Sequence, residues 1–207
     1  MKLLLLSDIH SNIGNLEEIL KKEDFELLLI AGDLTHFRKQ DVIVIDDLVT
    51  KYAPECYAVH GNCDHAEILG YKLEGINFIH GKSLEVAEIT LHGIGGSLRT
   101  PFGTLSEYSE NDFEEILKNF NFSDFNILVS HCPARGILDR TNYGENIGSE
   151  AIRRYIENFQ IVISGHVHES FGVIKDERIA VNPGPVNWGR YAILDLRTME
   201  VKLKKIR

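Results

Sequence analysis

Lys2-Leu3-Leu4-Leu5-Leu6 runs without a break into Ser7-Asp8-Ile9-His10 (KLLLLSDIH, residues 2–10). Four leucines in a row, with no polar alternation, are too few for a core helix. They fit a strand buried on both faces. The strand then ends in an acid and an imidazole, both metal-ligating types. The same arrangement recurs along the chain. Leu27–Ala31 runs into Gly32-Asp33. Cys56–Val59 runs, through His60, into Gly61-Asn62-Cys63-Asp64. Ile127–Val129 runs into Ser130-His131, and Ile161–Ile163 into Ser164-Gly165-His166-Val167-His168.

Between these runs lie amphipathic stretches. Asn15–Lys22 places Leu16, Ile19 and Leu20 on one helical face, and Asp41–Tyr52 forms a second helix. The order β-α-β-α-β implies a parallel sheet with crossover helices. The middle differs. Asn77–Ile79, Leu84–Ala87 and Ile89–Ile94 are short and close together, which predicts antiparallel pairing, and Gly93-x-Gly95-Gly96 opens a loop through Thr104. Further on, Ser109-x-x-Asp112 caps a helix over Asn111–Asn119. A strand over Ile127–Ser130, a helix over Ala151–Asn158 and a strand over Ile161–Ser164 follow. The tail is β-rich, with Phe171–Lys175, Ile179–Val181, Tyr191–Leu196 and Val201–Lys204. Residues 1–207 read as one α/β domain with two mixed sheets.

Composition narrows the function. The 207 residues are 43% hydrophobic and 26% charged, with a net charge of −9. Such an acidic chain disfavours extended nucleic acid and anionic membranes, both of which reward basic surfaces. No stretch approaches the roughly 18–20 apolar residues of a membrane span. The Leu3–Leu6 run is also too short for a secretory signal. Three scattered cysteines, Cys56, Cys63 and Cys132, form no C-x-x-C and point to reduced thiols in the cytoplasm. The sequence leaves a homo-oligomer open.

In open α/β sheets, ligands bind outside the carboxyl ends of the strands. If these five ends converge, two Asp, one Asn and four His meet: Asp8, His10, Asp33, Asn62, His131, His166 and His168. Alone, Asp8 fits a cap, Asp33 a turn, and His166 with His168 a strand face. Together they are too many ligands for one tetrahedral ion and suit two divalent cations sharing a carboxylate. Imidazole and oxygen donors without thiolate suit Mn, Fe, Zn, Co or Ni, with Mn favoured. Such a pair attracts phosphate and promotes in-line displacement at phosphorus. His36, His60, His80 and His92 are assigned structural roles.

The blocks D-x-H, G-D, G-N-C-D, S-H and G-H-x-H, in this order over residues 8–168, resemble the signature of the calcineurin-like metallophosphoesterases. Ser130–Ile156 (SHCPARGILDR…GSEAIRRYI) is similar to small prokaryotic members related to cyclic-nucleotide phosphodiesterases. Asn182-Pro183-Gly184 resembles the family's late N-P-G turn. The resemblance implies a four-layer α/β/β/α sandwich. It implies one metal on Asp8, His10, Asp33 and His168, and another on Asp33, Asn62, His131 and His166, with Asp33 bridging. The implied nucleophile is a hydroxide held by the two metals. Asn62, Cys63, Asp64 and His131 form the implied catalytic set, with Asp64 orienting the residue beside the substrate.

Cys63 departs from the commoner pattern. Most members have His there, thought to protonate the leaving oxygen, whereas Cys is a variant among small members acting on phosphodiesters. His65 or a water could substitute as the acid, or Cys63 could be an inert space-filler. The expected activity is hydrolysis of a small phosphoester, a nucleotide derivative among the options, with diesters favoured over monoesters. Arg99, Arg135 and Arg140 are candidates for pairing with phosphate. The alternatives are a monoesterase on the same site, a non-catalytic scaffold of the same fold, and a nuclease, which the net charge opposes. Two look-alikes fail. Gly75–Ser83 has one residue too many for a Walker A loop and runs into a strand. His131-Cys132 lacks the arginine of the cysteine-phosphatase loop, that position being Leu138.

Overall fold

Alternate leucines of β1 (Lys2–Leu6) face two different cores. Leu4 and Leu6 join Leu16 and Ile19 of α1 (Ile13–Lys22) and Val42, Ile45 and Val49 of α2 (Asp41–Tyr52). Leu3 and Leu5 join Leu27 and Leu29 of β2 (Leu27–Ala31) and Val59 of β3 (Cys56–Val59) in the space between the sheets. Side chains alternate across a strand, so an unbroken apolar run feeds both cores at once. The computed structural model describes residues 1–206.

The remaining elements, in chain order, are β4 (Asn77–Phe78), β5 (Ser83–Val86), β6 (Ile89–Ile94), β7 (Ser97–Leu98), β8 (Glu107–Tyr108), α3 (Glu110–Lys118), β9 (Asn126–Ser130), α4 (Glu150–Arg154), β10 (Ile161–Ser164), β11 (Gly172–Lys175), β12 (Ile179–Asn182), β13 (Arg190–Asp195) and β14 (Glu200–Lys205). One sheet has the order β14-β13-β1-β2-β3-β4 and the other β11-β12-β10-β9-β6-β5. Ile127 and Val129 of β9 and Ile161 and Ile163 of β10 face the first sheet. Leu128 and Val162 face outward, onto Phe113 and Leu117 of α3 and Ile152 of α4. The result is the expected four-layer α/β/β/α sandwich with two mixed sheets. Within it, β1, β2 and β3 pair in parallel, as do β6, β9 and β10, so their carboxyl ends lie at one rim.

Several elements differ from the sequence expectation. α1 starts two residues early because Asn12 caps it, accepting from the Asn15 N–H. β4 pairs in parallel with β3 in the first sheet, and only β5 and β6 form the antiparallel pair expected of the middle segment. The expected loop after Gly93 contains β7, which pairs in parallel with β8. The Ala151–Asn158 helix is split into α4 and a 3₁₀ turn over Ile156–Asn158. The tighter winding lets Ile152, Ile156 and Phe159 all reach the outer core just before β10. Ser109 and Asp112 form the expected capping box of α3.

Glu23, at the end of α1, fastens that helix to the C-terminal strands. Its carboxylate accepts from Lys204 Nζ at 2.6 and 2.7 Å and from the Tyr191 hydroxyl at 2.6 Å. Burial pushes its pKa up, but these hydrogen bonds outweigh burial and hold it below the ordinary value of 4.5. A carboxyl depressed in the folded state contributes stability above its unfolded pKa and loses it as the pH falls through the folded pKa. Glu23→Gln is therefore expected to cost about 1–2 kcal/mol at pH 7. The deficit should shrink once the pH drops below about 4.5. Urea unfolding of both chains at pH 7 and pH 3 checks this, and an equal deficit at both would refute it.

Candidate metal centre

At the shared rim the chain turns sharply past each strand. Asp8, His10, Asp33 and His166 all adopt left-handed backbone, with φ between 47° and 68°. Each such non-glycine residue costs on the order of 1–3 kcal/mol. Backbone hydrogen bonds hold the turns together: Asp8 N–H donates to Gly32 O (3.0 Å), His10 N–H to Asp33 O (2.9 Å), and His131 N–H to Ile94 O (2.9 Å). The strain therefore sits where side chains must fold back over the rim.

There the donor atoms converge. His168 Nε2 lies 3.2 Å from Asp8 Oδ1 and 3.3 Å from His10 Nε2. Asp33 Oδ2 lies 3.6 Å from His10 Nε2 and 3.6 Å from His131 Nε2. Asn62 Oδ1 lies 2.9 Å from His131 Nε2. The His166 ring stands 5.1 Å from that of His131, and its backbone N–H points at both Asp8 oxygens. Asp8, His10 and His168 can present one donor atom each within 4.8 Å of one another, as can Asp8, Asp33 and His131. All seven residues selected from the sequence thus meet in one cleft.

The chemistry of this donor set fits cations. His131 Nδ1 lies 2.8 Å from the Ala31 carbonyl, which can only accept, so the neutral ring carries its hydrogen on Nδ1. Its Nε2 lone pair then faces Asp33 and Asn62. Burial drives His10 down to about 4 and His166 to about 3, leaving both neutral near pH 7. For His168, burial opposes protonation, but the hydrogen bond and charge of Asp8 outweigh it and raise its pKa. Burial also opposes the Asp8 charge, yet His168 and the neighbouring imidazoles hold its pKa well below the carboxylate range. Burial pushes Asp33 up to about 7, and the charges of Asp64 and Asp8 add to this. Among the described residues, no Lys or Arg pairs with Asp8 or Asp33. Buried carboxylates facing imidazole lone pairs are the arrangement a divalent cation relieves.

Neighbouring residues brace the ligands. The buried Asp64 carboxylate accepts from Leu34 N–H (3.0 Å), Thr35 N–H (2.7 Å), Thr35 Oγ1 (2.8 Å) and Gly61 N–H (2.7 Å). It thereby joins the turn carrying Asp33 to the turn carrying Asn62. Asn182, in the N-P-G turn, donates to the Val167 carbonyl at 2.9 Å, between His166 and His168. Cys63 donates its N–H to Asp33 Oδ1 (2.8 Å), and its sulfur lies within reach of His10 and Asp33. Burial first, and then the Asp33 charge, push the thiol far up, so it stays protonated. Cys132 is fully buried, with its thiol pushed up to about 12, which agrees with discarding it as a nucleophile.

Beside the ligands lies a cavity of about 450 Å³, lined among others by Asn62, His166, Arg99, Phe102, Tyr143 and Glu145. A larger hollow of about 660 Å³, near β4 and β5, is lined by none of the seven candidate ligand residues. Of the three arginines singled out, only Arg99 lines the cavity near the ligands, while Arg135 pairs with Glu150 at 3.1 Å. His60, His80 and His92 have structural surroundings: His60 bonds Tyr108, His80 accepts from Gly95 N–H, and His92 bonds Ser83 and Asn126. His36 is different. It is exposed, and its ring stands 5.4 Å from that of His10. Trp188 likewise stands 5.4 Å from His168. Sequence reasoning missed His36, Trp188, Phe102 and Tyr143. No strand leads into these residues, so the pattern that revealed the ligands carried no signal for them.

A profile of the calcineurin-like phosphoesterases matches residues 1–170. The chain is 35% identical to an uncharacterised protein of Methanocaldococcus jannaschii, MJ1162, over 92% of this chain and 91% of that one. Among solved structures, TT1561 of Thermus thermophilus superposes with a TM-score of 0.77 at 17% identity, covering 100% of this chain and 99% of that one. Phosphopantetheinyl hydrolase of Mycobacterium tuberculosis superposes with a TM-score of 0.65 at 15% identity, covering 99% and 95%. At these identities the two structures establish the likeness of fold. No helix among the described residues is long and apolar enough to cross a membrane.

Proposed function

The chain belongs to the calcineurin-like phosphoesterase family, and from that premise we propose that it hydrolyses small phosphodiesters with the help of two divalent cations. Asp8, His10, Asp33 and His168 would hold one cation, and Asp33, Asn62, His131 and His166 the other. One observation carries this reading: Asp33 Oδ2 lies 3.6 Å from His10 Nε2 and 3.6 Å from His131 Nε2, the position of a carboxylate shared by two sites. Cations bound there would offset phosphate charge and supply a nucleophile from water at neutral pH. Manganese suits the imidazole and oxygen donors.

The protein's own groups do the rest. The Ala31 carbonyl keeps the His131 lone pair turned into the cleft. Arg99, exposed at the cavity wall, is placed to pair with a phosphate oxygen. Cys63 stays a neutral thiol, so it offers a leaving oxygen little of an acid's help. A thiol is also smaller than an imidazole and carries no positive charge. It leaves room for the second substituent of a diester and offers nothing to the second charge of a monoester. A cavity of about 450 Å³ suits a small molecule. Three unpaired, buried cysteines support a cytoplasmic location.

The test is the initial rate on bis-p-nitrophenyl phosphate and on p-nitrophenyl phosphate, after EDTA stripping and Mn²⁺ readdition, with His131→Ala as control. Turnover is expected only with Mn²⁺, faster on the diester, and lost in the variant. Failure to turn over either ester with Mn²⁺ bound would favour a scaffold of the same fold. A faster monoester rate would overturn the diester assignment.

A further inference from the structure

We infer that Thr104 and Glu107 are positioning residues that lock the Asn62 side chain with its amide oxygen facing the cation cleft. The inference rests on the two-cation reading above. Thr104 lies on the segment between β7 and β8 and Glu107 opens β8, and neither belongs to a ligand block.

The direction of each hydrogen bond follows from a single atom. Glu107 Oε1 accepts from the Thr104 backbone N–H at 2.8 Å, and it lies 2.6 Å from Thr104 Oγ1 and 2.6 Å from Thr100 Oγ1. A backbone N–H can only donate, so Oε1 is an acceptor, and the Thr104 hydroxyl spends its hydrogen there. That leaves Thr104 Oγ1 only lone pairs to offer Asn62, whose Nδ2 lies 3.1 Å away. A flipped amide would set two acceptors against each other at that distance. The amide nitrogen therefore faces Thr104, and the oxygen faces His131 Nε2 at 2.9 Å. His131 donates through Nδ1 to Ala31, so its neutral ring turns the Nε2 lone pair to the same point, and the two lone pairs can both serve one cation.

The segment is held firmly enough to impose this choice. The Asn62 carbonyl accepts from Leu105 N–H (2.9 Å) and Ser106 N–H (3.1 Å). Ser106 Oγ donates to the Asp64 carbonyl at 2.7 Å, and Gly96 N–H donates to the His60 carbonyl at 2.8 Å. Through Thr100, the same Glu107 oxygen also fixes the Arg99–Phe102 wall of the substrate cavity. One carboxylate thus sets both a cation ligand and the surface facing the substrate. An amide ligand needs such a device, because its two ends are close to isosteric and only one can bind a cation.

The test counts Mn²⁺ bound to metal-depleted protein, read from the free-Mn²⁺ EPR signal during titration, in the wild type, Thr104→Val and Thr104→Ser. Valine keeps the shape and removes the hydroxyl, whereas serine keeps the hydroxyl. The wild type is expected to bind two ions. Thr104→Val should weaken one of them by about 10–100-fold, the usual effect of losing a ligand's hydrogen-bond partner, and Thr104→Ser should restore it. If Thr104→Val fails to fold, Glu107→Ala replaces it, since it frees the hydroxyl to turn on Asn62, and the same selective loss is expected. Two ions bound by the variant as tightly as by the wild type would overturn this inference alone. Fewer than two ions on the wild type would overturn the two-cation reading on which it rests.

Discussion

Asp33→Asn is expected to lower Mn²⁺-dependent diester hydrolysis by at least about a thousandfold while leaving the chain folded. Removing a single preorganised hydrogen-bond donor from an active site already costs about 10²–10³ in rate, and on the proposed reading the lost group would be a charge shared between two cations. Asparagine keeps the volume and one oxygen, so Cys63 N–H keeps its acceptor, now at 2.8 Å from Oδ1. At the Oδ2 position, 3.6 Å from His10 and His131, the NH₂ group would then stand. It carries no lone pair for a cation and offsets none of the charge of two divalent ions.

The same substitution should have the opposite effect on the metal-free fold. Burial and two neighbouring acids push Asp33 up to about 7, so its charge works against folding above that pH. An acid whose pKa is raised on folding binds more protons folded than unfolded, and stability falls as the pH rises through that interval. Without metal at pH 8, Asp33→Asn should therefore melt at or above the wild type. With Mn²⁺ the order should reverse, because binding to the native state alone adds stability. Turnover near the wild-type rate would end the shared-carboxylate reading. A metal-free melting temperature well below the wild type would show that the carboxylate has a structural role instead.

The candidate metal ligands are legible because each lies within a few residues of the end of an apolar strand, and the strands can be read from Leu3–Leu6, Leu27–Ala31 and Ile161–Ile163. Parallel pairing gathers three of these ends in one sheet and two in the other, and the stacking of the two sheets brings all five to one rim. The supporting residues were less accessible. Thr104 and Glu107 sit in a segment whose strands are two residues long, too short for any periodicity. Their relation to Asn62 exists only once that segment folds back on the third strand's turn. The sheet that Asn77–Phe78 joins was hidden for the same reason, since two residues carry no preference between a parallel and an antiparallel neighbour. His166 and His168 have the spacing of a strand face, but His168 opens a 3₁₀ turn, because His166 must adopt left-handed backbone to fold back over Asp8.

The glycines preceding the ligands yield the second large effect. Gly61→Ala is expected to cost about 1–3 kcal/mol of stability through overpacking, and to weaken Mn²⁺ binding severely. A Cβ at Gly61 would lie 2.0 Å from Asp33 Oδ1 and 2.2 Å from the Asp33 backbone nitrogen. The carboxylate could rotate away only by leaving both imidazoles, and the backbone nitrogen cannot rotate away at all. Moving residue 61 instead would pull its N–H from Asp64, which also holds Leu34 and Thr35. Either response displaces Asp33 or Asn62. Gly32 is under the same constraint, since a Cβ there would lie 2.5 Å from His131 Nδ1. Gly81→Ala is the control. Its φ of +70° strains an alanine by about 1–2 kcal/mol, yet nothing lies within 4 Å of the added carbon. The two variants should thus lose similar stability in urea unfolding, while only Gly61→Ala loses Mn²⁺ affinity and turnover. If Gly61→Ala bound two ions as the wild type does, the turns at the rim would have to be far more yielding than the close approach of residues 33 and 61 implies.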